Sequence, residues 1–366
     1  MRQPAVIRAA GIAAALALAA CGGGEPTAAQ PPGSVAGEEA PKVAAGSVAL
    51  GTPSVIVTRL AVPWGLAFLP DGSALVSERD TGRIVLVGRR GGTPRQVARV
   101  DAVPGGEAGL LGLAVSPTYR TDRLVYAYYT SARDNRIVRF RLGQPPRLVF
   151  SGIPKAGNHD GGRIAFRPDG MLYVGTGDAA VRTRSQDPAS LGGKILRLTP
   201  DGRPAPGNPF RGSPVWSLGH RNVQGLAWDG AKRMYATEFG QNRFDEVNRI
   251  VPGGNYGWPV VEGRGGAPRF RDPLVVWPTS QASPSGAAFV RDSLFAAALR
   301  GKRLWQVRLA GGRVQGTQAH AVGRYGRLRH VAVEPGGRAL WVLTNNRDGR
   351  GNPGPTDDRI LRVPLR

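Results

Sequence analysis

A four-residue pattern of small, apolar, alanine, apolar recurs six times along the chain, each time ahead of a turn and a second apolar strand. It reads Gly65-Leu66-Ala67-Phe68, Gly112-Leu113-Ala114-Val115, Arg163-Ile164-Ala165-Phe166, Gly225-Leu226-Ala227-Trp228, Gly286-Ala287-Ala288-Phe289 and His330-Val331-Ala332-Val333. Turns of the type Pro70-Asp71-Gly72, Pro168-Asp169-Gly170 and the looser Pro335-Gly336-Gly337 follow three of the copies. Proline presets φ and glycine permits the positive φ of a tight hairpin. Strands such as Leu172-Tyr173-Val174 and Leu340-Trp341-Val342 come next. The copies are spaced by about 45 to 60 residues, the length of a four-stranded blade and not of a helical repeat. No long segment carries a 3.6-residue period, and 53 Gly with 31 Pro argue against many helices. The pattern predicts an all-β fold, a six-bladed β-propeller of four-stranded antiparallel blades. Closing the ring leaves few free sheet edges and creates a central shaft with a loop-lined mouth.

The first 52 residues do not share this pattern. Arg2 and Arg8 precede an apolar run, Ala9 to Ala20, that ends at Cys21. A basic start, a short apolar stretch and small residues before the cleavage point describe a secretory signal, too short to span a bilayer permanently. Cys21, the only cysteine, stands where a bacterial lipoprotein signal carries its lipidated residue; the alternative is a chance cysteine in a signal cut elsewhere. Residues 22–52 are rich in Gly, Ala, Pro and Ser and read as a flexible tether. That leaves residues 53–366 for one large domain, exported and anchored outside the cytoplasm through lipid at Cys21.

The formal charge of +23 raises the question of nucleic acid, and the distribution answers it. Only five of the 49 basic residues are lysine, and the arginines are scattered with no basic helix. An arginine-rich solvated surface, able to attract anionic ligands or lie near anionic lipid, accounts for it. Nucleic-acid binding is excluded.

Candidate chemistry gathers on segments beside the repeats. Asn158-His159-Asp160-Gly161-Gly162-Arg163 sets one of four histidines on a Gly-rich loop directly before a strand, and Asp178 follows the next strand. An imidazole with a carboxylate able to fold back on it is the usual construction of a general base and its orienting partner. The bland reading of His159 is a turn histidine, and of Asp178 a turn aspartate. Asp160 is a rival for the orienting role.

Further segments are Pro63-Trp64-Gly65-Leu66, Gly109-Leu110-Leu111-Gly112, Gly219-His220-Arg221-Asn222, Thr237 to Glu246, and Gly253-Gly254-Asn255-Tyr256-Gly257-Trp258-Pro259. In their order and spacing these resemble the pyrroloquinoline quinone (PQQ)-dependent sugar dehydrogenases, the soluble glucose/sorbosone dehydrogenase-like family, over the whole of residues 53–366. The resemblance implies a six-bladed propeller with PQQ and Ca²⁺ at one mouth, and oxidation of an aldose's anomeric hydroxyl to a lactone. Electrons would pass to an external acceptor. It casts His159 as the base, Asp178 as its orienting carboxylate, and Arg221 with Asn222 as the pair beside the quinone. Arg327 and Arg329, at i and i+2, would face one way and share a cofactor carboxylate.

By the same resemblance the backbone carbonyls of Gly240 and Gln241 hold the calcium, although the glucose enzymes have proline where this chain has Gln241. Thr279 matches a family threonine, and Arg300 falls where those enzymes present lysine. Glu107 replaces their glutamine, and a carboxylate there has to be protonated, paired or ligating. Glu246 resembles a ligand of a second, structural calcium, with a surface glutamate as the alternative. Trp277 reads equally as a sugar-stacking face or as core. Two other functions remain in view: a non-enzymatic propeller that binds carbohydrate or protein, and a lactone hydrolase, for which the required carboxylate-rich cage is absent from the sequence. The particular sugar and the oligomeric state stay open.

Overall fold

The computed structural model describes residues 48–366, so Cys21, the signal and most of the tether lie outside the described residues. Six four-stranded antiparallel sheets follow one another around an axis. Every copy of the repeated pattern lies on the innermost strand of its blade: Pro63–Phe68, Leu110–Val115, Ile164–Phe166, Val223–Trp228, Pro284–Val290 and Leu328–Val333. Residues 328–364 supply three strands of the sixth blade, and the fourth is Ser54–Val57, paired with Ile360–Pro364. The N-terminal strand thus clasps the ring shut and removes the free edge that the C-terminal strand would otherwise present. The residues just before that strand also pack into the blade: Val48 is buried, and Gly51 N–H donates to Pro364 O over 2.8 Å. The sequence assigned these residues to the tether.

The small first position of the repeat has a steric cause. A Cβ on Gly65 would stand 2.8 Å from the Leu111 carbonyl oxygen of the next blade. One on Gly112 would collide with Gly162 O, and one on Gly225 with Ser285 O. Inner strands of neighbouring blades approach backbone to backbone at these glycines. Just before them, five of the six inner strands slip register, at Pro63/Leu66, Leu110/Leu113, Val223/Gly225, Pro284/Ala287 and Leu328/His330. The third blade instead carries positive φ at Gly161 (62°) and Gly162 (103°). A bulge re-aims side chains, and here it turns successive residues toward the shaft. Between blades the core is apolar: Leu111, Tyr126 and Tyr128 of the second blade pack with Ile164, Leu172 and Val174 of the third.

Chain direction sorts the loops. The Pro-Asp-Gly turns join first to second strands and lie at one mouth. Loops leading into the inner strands, and those joining second to third strands, lie at the other. Every residue named above as a candidate falls on the second set or at its border with a strand.

Replacing Gly112 by alanine forces the second and third blades apart against a backbone oxygen, which should cost roughly 1–3 kcal/mol or more. Gly230, with no atom near its missing Cβ, is the control. We expect urea unfolding midpoints to fall for G112A and to stay within about 0.5 kcal/mol of the parent for G230A.

Candidate active site

The segment 158–163 turns sharply into the third blade. His159 adopts φ 58°, a left-handed conformation that side chains seldom take. Gly177 makes room for it, since a Cβ there would strike the His159 carbonyl. In this geometry His159 Nδ1 lies 2.7 Å from Asp178 Oδ1. Asp178 is fully buried, accepts the Trp258 indole N–H at Oδ2 (2.9 Å) and the Ala180 N–H at Oδ1 (2.9 Å). Burial pushes its carboxyl upward, but the bonds from His159, Trp258 and Ala180 outweigh this and hold it below the ordinary value. An ionised carboxylate only accepts, so Nδ1 carries the hydrogen, and in the neutral imidazole Nε2 keeps a lone pair. Nε2 has no partner among the described residues, and the side chain stays 12% exposed.

Asp160 does not compete for this role. Its Oδ1 accepts from Asn135 Nδ2 (2.9 Å) and Ala156 N (3.0 Å), away from the imidazole, and it braces the loop from beneath.

Glu107 is paired on both oxygens. Its Oε2 accepts from His159 N (3.0 Å) and Asn222 Nδ2 (3.2 Å), while Oε1 meets Arg350 at 3.3 Å. Asn222 Oδ1 takes the Gly161 N–H (3.0 Å). Glu107, His159 and Asn222 therefore come together from three loops. Arg221 joins them, nearly buried, with Trp258 under its guanidinium at 5.4 Å. Its backbone N–H is fixed by Glu238, which also holds His220 Nδ1 at 2.9 Å. Its head donates twice to Gln241 Oε1, at 3.1 and 2.7 Å, and once to Phe239 O at 3.2 Å.

The loop at Gly240 and Gln241 is organised by one oxygen. Glu262 Oε1 accepts the N–H groups of Gln241, Asn242, Arg243 and Phe244 at 2.8 to 3.1 Å. In a trans peptide, C=O opposes the following N–H. The Gly240 and Gln241 carbonyls therefore point away from Glu262. Such outward, preset carbonyls suit a hard cation. Thr279 sits against this loop, its hydroxyl donating to Asn242 O at 3.2 Å. Glu246 is not a surface glutamate: it is buried opposite Glu238 on the paired strand, and burial with that neighbour's charge pushes its carboxyl upward. A cavity of about 10 Å³, room for one water-sized sphere, lies among Arg221, Glu238, Gly240, Glu246, Tyr256 and Glu262.

From the sixth blade Arg327 grips Asp348 Oδ2 through Nε (3.0 Å) and Nη2 (2.7 Å), and Arg329 reaches the same oxygen at 3.7 Å. Both arginines thus turn toward one carboxylate of the chain. Arg300 is exposed in the turn between the second and third strands of the fifth blade, apart from the cluster in its contacts. Trp277 is core, 4% exposed and stacked on Trp305 at 4.9 Å. A cleft of about 590 Å³ lies at the opposite mouth, lined by Asp71, Arg89, Arg90 and Glu334, away from this chemistry.

Sequence reasoning did not single out Trp258, Glu238, Glu262, Asp348 or Arg350. Trp258 and Glu238 lay within recognised segments. Glu262 and Asp348 act from positions distant in sequence and have no motif of their own.

The chain matches the glucose/sorbosone dehydrogenase family over residues 60–361. It belongs to that family and is a sugar dehydrogenase. Among solved structures it is similar to the PQQ-bound aldose sugar dehydrogenase of Streptomyces coelicolor, at 52% identity and a TM-score of 0.84, over 87% of this chain and 99% of that one. It is 30% identical over 348 residues to the Escherichia coli (strain K12) aldose sugar dehydrogenase YliI, covering 81% of this chain and 90% of the relative. Quinoprotein glucose dehydrogenase B of Acinetobacter calcoaceticus is 32% identical over 250 residues, which is 57% of this chain and 52% of that protein.

The loop brace makes a pH prediction. Burial, partly offset by the bonds from Asn135 and Ala156, raises Asp160 from 3.8 to about 6. The folded chain thus holds this proton more tightly than the unfolded one. Its stabilising contribution is complete below about pH 4 and is lost as pH rises through 6, a span worth roughly 2–3 kcal/mol. Asp160→Asn should flatten that part of the Tm-against-pH curve, measured by calorimetry.

Proposed function

We propose that this protein oxidises the anomeric hydroxyl of aldose sugars to lactones by hydride transfer to PQQ bound with Ca²⁺ at the His159 mouth. The observation that carries the reading is the 2.7 Å His159–Asp178 pair beside a cluster of guanidinium groups. Arg221, Arg327 and Arg329 form a donor set matched to a polyanion, and the outward carbonyls of Gly240 and Gln241 fit a calcium ion. PQQ binding by the Streptomyces coelicolor relative supports the same choice. When bound, PQQ supplies a quinone carbonyl that accepts the hydride, and Ca²⁺ increases its electrophilicity.

The protein's own part is acid–base and electrostatic. His159 Nε2 takes the proton of the sugar hydroxyl as the anomeric C–H bond gives up its hydride, so the sugar loses two electrons and two hydrogens. Asp178, fixed in its ionised form by Trp258 and Ala180, stabilises the resulting imidazolium without taking the proton. Arg221 faces the negative charge that develops on reduction. Arg327 and Arg329 bind cofactor carboxylates, with Asn222 and Thr279 completing the polar rim. Glu107 fixes the backbone of the base and the amide of Asn222. Glu246, with the small cavity beside it, is the candidate for a second, structural calcium. The basic start and Cys21 support export as a lipoprotein, with an external electron acceptor.

Reconstitution with PQQ and Ca²⁺, followed by dye reduction with a panel of aldoses, tests the reading. His159→Gln should lower kcat by about 10²–10⁴ while the absorbance change on PQQ titration persists. Asp178→Asn should lower kcat in the same direction, because an amide no longer enforces the Nδ1–H tautomer. Absence of PQQ binding by the parent protein at micromolar concentration would refute the function.

A further inference from the structure

Arg163 occupies a repeat position that is glycine in four of the other five copies. Its side chain does not leave the protein; it enters the shaft. The residue is 3% exposed, and its Cζ stacks over the Trp64 ring at 4.2 Å. Nε donates to Gln224 O at 2.8 Å, and Nη2 is buried with no hydrogen-bond partner among the described residues. Arg329 lies over the same Trp64 ring at 5.8 Å and donates to Gln224 Oε1 at 2.9 Å. Two guanidinium groups therefore share one indole and one glutamine inside the ring of blades.

The ion pairs around them leave one charge over. Arg79 has Asp80 at 2.6 Å, Arg327 has Asp348 at 2.7 Å, and Arg329 reaches that same carboxylate at 3.7 Å. Among the described residues Arg163 has no carboxylate within ion-pair distance. His330, also buried here, offers none: its Nε2 lies 3.2 Å from Leu66 O, and burial with the Arg163 charge drives it well below its usual value, hence neutral. Burial and the neighbouring Arg329 push Arg163 itself down to about 9, which still leaves it cationic at neutral pH.

A buried cation with an idle N–H and no counter-charge is costly, and exchange for an apolar side chain of similar size is commonly neutral or stabilising. Nothing in the blade packing needs this charge, because four other blades close with glycine at the same position. Arg329, which shares Trp64 and Gln224 with Arg163, shares Asp348 with Arg327, so the group is continuous with the cationic cluster at the mouth.

We propose that Arg163 is a positioning residue whose counter-charge is the polyanionic redox cofactor, stabilising it electrostatically through Arg329 and Gln224 at the expense of the cofactor-free protein. This rests on the function proposed above. A unit charge acting through partly buried protein at such a site is worth about tenfold to thirtyfold in affinity.

The test uses the full-length protein and the variants Arg163→Met and Arg163→Lys. PQQ is titrated by absorbance in the presence of Ca²⁺, and Tm is measured without and with PQQ. We expect R163M without PQQ to melt no lower than the parent, and to bind PQQ about tenfold or more weakly. R163K should recover most of the affinity. The assignment falls if R163M melts several degrees lower without PQQ yet binds it as tightly as the parent, because Arg163 is then a strut. It falls equally if both variants fail to fold. If the parent itself does not bind PQQ, the functional reading fails along with the assignment, an outcome separate from equal binding by parent and variant.

Discussion

The structure depends on inner strands meeting around a single axis, three of them so close to the following blade that no side chain fits between the backbones. Gly65, Gly112 and Gly225 each face a main-chain oxygen of the following blade. At that separation the inner strands cannot keep a regular pleat all the way to the mouth, and bulges take up the mismatch at the same place in five blades. Tight closure thus has a chemical consequence. It turns the residues just ahead of the repeat toward the shaft, so that Trp64, Asn222, Gln224, Ser285, Arg327 and Arg329 converge although they are scattered through the sequence.

Convergence of that kind creates an electrostatic problem that the loops resolve unevenly. Where a carboxylate has a defined donor set it orders its neighbourhood: Asp178 sets the His159 tautomer, and Glu262 collects four backbone N–H groups. Where like charges are pressed together, as with buried Glu238 opposite Glu246, a proton or cation has to be taken up. The shaft itself errs on the positive side. Its aromatic floor, Trp64, attracts both Arg163 and Arg329 through the ring face without neutralising either.

The fold was legible in the sequence because the blade repeat is local: each copy carries its own apolar-Ala-apolar strand, four begin with glycine, and three are followed by a proline–glycine turn. The imidazole and its carboxylate partner were legible for a similar reason, since Gly161, Gly162 and Gly177 mark the backbone that His159 and Asp178 need. What escaped was whatever depends on ring closure. Ser54–Val57 has nothing in its own sequence to say that it pairs with Ile360–Pro364. Glu262 and Asp348 are single acids on unremarkable loops, and only the three-dimensional path brings them to Gln241 and Arg327. Trp277 shows the reverse limit: an aromatic beside a candidate loop is equally at home in the core, and only its stacking on Trp305 decides between them.

The departure at Gln241 illustrates how the two halves of the site are tied together. A proline at this position could present a carbonyl, but it would have no N–H for Glu262 and no amide for Arg221. Gln241 supplies all three: its N–H closes onto Glu262, its carbonyl is turned outward, and its side-chain oxygen takes both Nε and Nη2 of Arg221. The rigidity that proline would bring through its ring is supplied here by hydrogen bonds. As a result the loop that would carry the cation and the arginine that would face the reduced ring are held by one residue. Displacement of either would be transmitted to the other through the hydrogen bonds of Gln241.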